Sequence, residues 1–97
     1  MDQRAIVNIE NGIKQVLQKN NVKRGGLFGS ILRSDFNENS DVDVLVELPE
    51  GSGLLEFIQI KQELEDLLKR SVDLVEYASI KPFLQKIILQ QEKRIYG

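Results

Sequence analysis

At 97 residues and a formal charge of -2, the chain has room for one core of ordinary size and exerts little general attraction on a phosphate backbone. It contains neither cysteine nor histidine, which excludes disulfides, thiolate nucleophiles, Cys/His zinc sites and serine-histidine catalysis. What remains for site chemistry is carboxylate, hydroxyl, lysine, arginine and backbone, a set suited to a hard, oxygen-loving cation.

Apolar residues at 41% and charged residues at 29% point to a folded globular chain, with residues 1–97 expected to form a single domain. Apolar runs are short, and no stretch has the length of a membrane span or the apolar core of a signal peptide. The expected location is the cytoplasm.

In chain order, Ile6, Ile9, Ile13, Val16 and Leu17 recur at three- and four-residue spacing, predicting a helix from Arg4 to Lys19. Asn20 and Asn21 suit its end, because asparagine tolerates the left-handed conformation that often closes a helix. A strand is expected over Val22 to Phe28. Gly29-Ser30 interrupts it, Ile31 to Ser34 reads as a single helical turn, and "DFNENS" is a polar loop without periodicity.

From Val42 the alternation is clean: Val42, Val44, Val46 and Leu48 face one way, Asp41, Asp43, Leu45 and Glu47 the other. After "PEGSG", Leu54, Phe57, Ile60 or Lys61, Leu64, Leu67 and Leu68 predict a second helix ending near Arg70. "SVDLVEY" reads as a third strand. Ser79 is then expected to cap a last helix whose Ile80, Phe83, Leu84, Ile87 and Ile88 would pack into the core. The order α-β-α-β-α-β-α predicts an α/β (α+β) fold, with a small mixed sheet packed against helices.

Residues two apart on a strand share a face, so Asp41 and Asp43 present both carboxylates to one place, about 7 Å apart along the chain. Carboxylates held that close repel, a cost most readily offset by a divalent cation. The plain alternative for a lone D-x-D is a polar strand start that closes a turn. Gly29 lets backbone approach a ligand, and Ser30 can offer hydroxyl and amide to a phosphate, although Gly-Ser also punctuates many loops. Asp73 sits in an otherwise apolar strand, where it either completes the acidic group or simply faces solvent.

Gly29-Ser30, ten intervening residues and then Asp41-Val42-Asp43 form the pattern GSx10DxD. With "LFGS", "SDVDVLVEL", "VDLVEY" and "IYG" in this order, the chain resembles the minimal nucleotidyltransferase (MNT) group of the DNA polymerase beta-like nucleotidyltransferases, over nearly its whole length. The resemblance implies the nucleotidyltransferase fold. It also implies two Mg²⁺ ions held by Asp41, Asp43 and Asp73 as metal-binding and catalytic residues, and ATP as nucleotide donor held by Gly29, Ser30 and Arg33. The implied activity is transfer of AMP to a hydroxyl, tyrosine expected, of a partner ribonuclease toxin of the HEPN type, the chain acting as antitoxin. No direct nucleic-acid binding and no membrane association are expected, while a homo-oligomer or a hetero-oligomer with the toxin is compatible with the resemblance.

There is one departure. Family members often carry arginine directly after Gly-Ser, whereas this chain has Ile31. Arg33 matches the second arginine of that run, and bridging to Asp35 or Glu38 is its alternative role. The departure keeps a second reading open, that of an MNT-fold antitoxin which neutralises its toxin by binding alone. Transfer to a small molecule or to RNA would call for an additional substrate domain.

Overall fold

Asp2 starts the first helix, α1 (Gln3–Lys19), by accepting the Ala5 amide at 2.8 Å. Its one apolar side buries Ile13, Val16 and Leu17, and Asn21 leaves the helix at φ 57, the left-handed turn anticipated for this pair. These statements come from a computed structural model, which describes residues 1–97. The chain continues as β1 (Arg24–Phe28), a 3-10 turn (Gly29–Leu32), β2 (Val42–Glu47), α2 (Leu54–Leu68) and β3 (Val72–Glu76). A second 3-10 turn (Tyr77–Ser79), α3 (Pro82–Gln91) and β4 (Lys93–Tyr96) complete it.

The four strands form one mixed sheet in the order β3-β2-β1-β4. β1 runs antiparallel to both β2 and β4, and β2 runs parallel to β3, with Val42 opposite Val72 and Asp43 opposite Asp73. A parallel pair needs a crossover, and α2 supplies it. The Glu56 carboxylate accepts the Gly53 amide at 2.8 Å to start α2, and Lys69 in the left-handed conformation ends it.

Strand alternation divides the interior. Val42, Val44, Val46, Val72 and Leu74 meet Ile13, Leu17, Ile60 and Leu64 in the larger core, under α1 and α2. Leu45 points the other way and packs with Tyr77 and Ile80, with Ile88 of α3 against them. At about 1.5–3 kcal/mol for each large aliphatic side chain removed from water, the first cluster carries most of the hydrophobic stabilisation. Asp43 and Asp73 are in phase with Leu45 and so belong to the thinner, α3 side of the sheet. No helix is long and apolar enough to cross a membrane.

Three expectations at the C-terminal end are corrected. Ser79 does not cap the last helix: it closes the 3-10 turn, and α3 starts two residues later with Lys81 at the N-cap and Pro82 in the first turn. Proline supplies a preset φ where no amide partner is needed, which is why the helix begins there. Of the expected stripe only Ile80, which precedes the helix, is core, since no α3 residue is buried and Phe83 and Ile87 are 73% and 52% exposed. Finally, the chain does not end on a helix, because β4 follows α3 and forms one edge of the sheet.

Candidate functional site

Gly29 begins the turn after β1 with φ +71, a region that costs an L side chain about 1–2 kcal/mol. Its missing Cβ matters for a second reason: a side chain there would overlap Asp43 Oδ2 and lie 3.1 Å from Asp43 Cγ. The turn therefore presses bare backbone against the β2 carboxylate. The Ser30 amide donates to Asp43 Oδ2 at 3.4 Å, and the Ser30 hydroxyl donates to the Asp41 carbonyl at 2.8 Å. Gly29, Ser30, Asp41 and Asp43 are thus brought together, and the sequence spacing between them is the length of the loop that folds back.

Asp73 joins them through the sheet. It is the register partner of Asp43 on the neighbouring parallel strand, and strands lie about 4.8 Å apart in the hydrogen-bonding direction. Burial pushes the Asp43 carboxyl above its usual range, the Ser30 amide partly offsets this, and the Asp73 and Asp41 charges push it further up. None of the six ion pairs of the protein uses Asp41, Asp43 or Asp73. The three carboxylates nevertheless do not close into one ligand cluster. Asp41 stands just before β2 with an exposed side chain, while Asp43 and Asp73 are fixed by the sheet. Like charges spread apart unless a cation offsets them, so the donor chemistry fits a hard divalent ion provided Asp41 swings toward the sheet.

Arg33 lies just past the turn. It contacts Asp35 at 3.5 Å, the bridging role weighed from the sequence, while its charge still acts to lower the Asp43 carboxyl. Ile31 is buried in the larger core, where it has no access to a phosphate. Other basic side chains are engaged elsewhere: Lys23 with Glu50, Arg24 with Glu47, Lys93 with Glu10 and Arg94 with Glu92.

The sequence reading did not single out two polar features. Tyr77 donates its hydroxyl to Glu92, whose side chain is 4% exposed and also meets Arg94, while Arg24 stacks 4.1 Å over the Tyr77 ring. Glu92 reaches this position only because Gly26 leaves space beneath it. Arg70 spans two loop carbonyls beside the acidic group. Arg70 gave no local signal, because its partners are carbonyls of a loop distant in sequence. Tyr77 and Glu92 gave none, since their meeting depends on β4.

The family model described as polymerase beta, nucleotidyltransferase, matches residues 11–97. The chain belongs to this nucleotidyltransferase family. Among relatives of this nucleotidyltransferase, a Methanocaldococcus jannaschii protein that carries a provisional protein adenylyltransferase name is 43% identical over 89% of this chain and 92% of its own length. The protein adenylyltransferase MntA of Thermococcus cleftensis is 40% identical over 80% of this chain and 79% of its own. A solved structure assigned provisionally as a minimal nucleotidyltransferase superposes with a TM-score of 0.82 at 30% identity, covering 96% of this chain and 95% of that one. A toxin-antitoxin structure with AMP-PNP gives 0.78 at 29% identity, covering 91% and 73%. A complex of tri-AMPylated Shewanella oneidensis HEPN toxin with MNT antitoxin gives 0.74 at 26% identity, covering 95% and 72%.

Proposed function

We propose that this nucleotidyltransferase is a magnesium-dependent protein adenylyltransferase, an antitoxin that moves AMP from ATP to a tyrosine hydroxyl of a HEPN-type ribonuclease toxin. The observation that carries this reading is the Asp43–Asp73 register pair standing beside the Gly29-Ser30 turn. Support for the donor and acceptor comes from relatives named protein adenylyltransferase, from a related structure with AMP-PNP and from the tri-AMPylated toxin bound to an MNT antitoxin.

In this reading Asp41, Asp43 and Asp73 hold Mg²⁺, which when bound neutralises triphosphate charge and polarises the α-phosphorus. The Gly29-Ser30 backbone lies against the triphosphate, with the Ser30 amide as an anion donor and Arg33 released from Asp35 to meet a phosphate oxygen. The acceptor hydroxyl oxygen bonds to the α-phosphorus, the bond from that phosphorus to the bridging oxygen breaks, and pyrophosphate leaves. The hydroxyl proton passes to the Asp73 carboxylate. Residues 1–97 act as one unit, because every member of the site lies on one sheet or on the segment that joins β1 to β2. Phe83 and Ile87 stand exposed on α3, which packs on the sheet side that holds Asp43 and Asp73, and this favours a protein acceptor reaching the site from there.

Purified protein is mixed with its toxin, Mg²⁺ and ATP labelled at either the α- or the γ-phosphorus. The reading expects label on the toxin from α-labelled ATP alone, lost with Asp43→Asn. Transfer of γ-label would mean phosphorylation instead. One observation favours a second reading, neutralisation by binding alone: the position after Ser30 is a core isoleucine and Arg33 is already paired. Toxin neutralised with no label from either ATP would select it.

A further inference from the structure

The loop between the first turn and β2 is polar, yet its path is tightly defined. Phe36 is 1% exposed, its carbonyl accepts the N-terminal ammonium at 3.1 Å, and the loop is cross-linked by Ser40 and Asn37 side chains bonded to loop amides. The residue that ties this loop to the rest of the sheet is Arg70. Its Nη1 donates to the Asn37 carbonyl at 3.1 Å and to the Ser40 carbonyl at 2.9 Å, and its guanidinium lies 5.0 Å over the Phe36 ring. No carboxylate pairs with it.

Arg70 occupies a particular place in the chain. The carbonyls it holds end one residue before Asp41, while its own backbone runs into β3 and reaches Asp73 three residues later. Next to it, the Ser71 carbonyl accepts the Val42 amide at 3.1 Å, so the backbone pairing of the two strands begins beside Arg70. Asp43 and Asp73 are fixed by sheet register, but Asp41 lies outside β2, where its carbonyl accepts the Ser30 hydroxyl and the path of its loop sets the rest. We infer that Arg70 is a positioning residue which sets Asp41 relative to Asp43 and Asp73. This rests on the acidic group being the metal site of the proposed function. A planar, fixed donor fork suits the task, because it spans two carbonyls at once and stacks on an aromatic face.

The test compares the unaltered protein with Arg70→Met, which keeps the apolar stem over Phe36 and loses the donors, and Arg70→Lys, which keeps one donor head. Mn²⁺ alone is the probe, its free fraction read by electron paramagnetic resonance, with thermal unfolding measured in parallel. Residues that orient metal ligands typically change affinity by 10- to 100-fold when removed. The expectation is Mn²⁺ binding weakened at least about tenfold in Arg70→Met, partial recovery in Arg70→Lys, and a lower kcat with little change in KM for ATP. Leu64→Ala, a core change outside the loop that leaves every Arg70 contact in place, serves as a control for lost stability and should keep its Mn²⁺ affinity while folded.

Equal Mn²⁺ affinity in unaltered protein and Arg70→Met overturns this inference and leaves the proposed function standing. Equal weakening in Leu64→Ala overturns it also, since general loosening would then suffice. Absence of Mn²⁺ binding by the unaltered protein overturns both. Should Arg70→Met fail to fold, Arg70→Lys carries the same comparison, and unaltered affinity there again counts against the inference.

Discussion

Replacing Gly29 with alanine separates a backbone cost from a chemical one, and Gly51 provides the matched control. Both residues hold positive φ, +71 and +83. An alanine in that region costs about 1–2 kcal/mol, and the less flexible unfolded chain returns roughly 0.4–1 kcal/mol, leaving a net loss near 1 kcal/mol at each position. For a chain of this size that lowers Tm by about 4–8 °C. The surroundings differ sharply, because a Cβ on Gly51 meets nothing within 4 Å whereas one on Gly29 overlaps the Asp43 carboxylate. A carboxylate is the movable end of a side chain, so it gives way by on the order of 1 Å instead of breaking the fold. A displacement of that size in a reacting group is worth about 100-fold in rate. Thermal unfolding of both variants, paired with transfer of α-labelled ATP below their melting points, should give similar Tm losses and a roughly hundredfold rate loss in Gly29→Ala only. Unimpaired transfer by folded Gly29→Ala would refute the claim that this bare backbone guards the position of Asp43.

Because burial and two neighbouring charges raise the Asp43 carboxyl, its ionised form opposes folding, and Asp43→Asn should raise the Tm of metal-free protein while abolishing transfer. Asp73→Asn removes one of those charges and should move the Asp43 carboxyl back toward its ordinary range, as read by NMR titration. Tyr77→Phe deprives the buried Glu92 of a donor and should cost about 1–3 kcal/mol in urea unfolding, with transfer retained. Desolvation, followed by the Glu92 bond and charge, pushes the Tyr77 phenol above its ordinary value of 10.0. A raised folded-state pKa gives stability that is complete below the unfolded value and lost as pH rises past it. Above pH 10 the unaltered protein should therefore lose stability faster than Tyr77→Phe, by up to about 1.4 kcal/mol per pH unit.

The parts of the fold legible beforehand are those where one periodicity dominates. The strand at Val42 and the helices holding Ile13–Leu17 and Ile60–Leu64 bury those residues in one core, although Leu54 and Leu67 of the expected α2 stripe stay exposed. The C-terminal end resisted for a physical reason. Its "IIL" run has helical spacing, but on that sheet face Leu45 already packs with Tyr77 and Ile80, so α3 adds only Ile88 to the cluster and is left with exposed leucines and phenylalanine. "KRIY" is too short for alternation to mark it, and it becomes a strand because the free edge of β1 pairs it. At the site, the Gly29-Ser30 and Asp41-Asp43 meeting was readable because one short loop joins them. The Asp73 pairing needed the parallel register, and the loop anchor Arg70 needed the tertiary path of residues 35–40, neither of which any local pattern encodes.

Anomalous scattering from Mn²⁺ in crystals grown with AMP-PNP bears on the central claim most directly. Density between the Asp43 and Asp73 side chains, with Asp41 drawn in and the triphosphate against the Ser30 amide, is the predicted result. Nucleotide seated in the 270 Å³ cavity of Arg24, Tyr77 and Gln85, with no manganese peak at the aspartates, would contradict it.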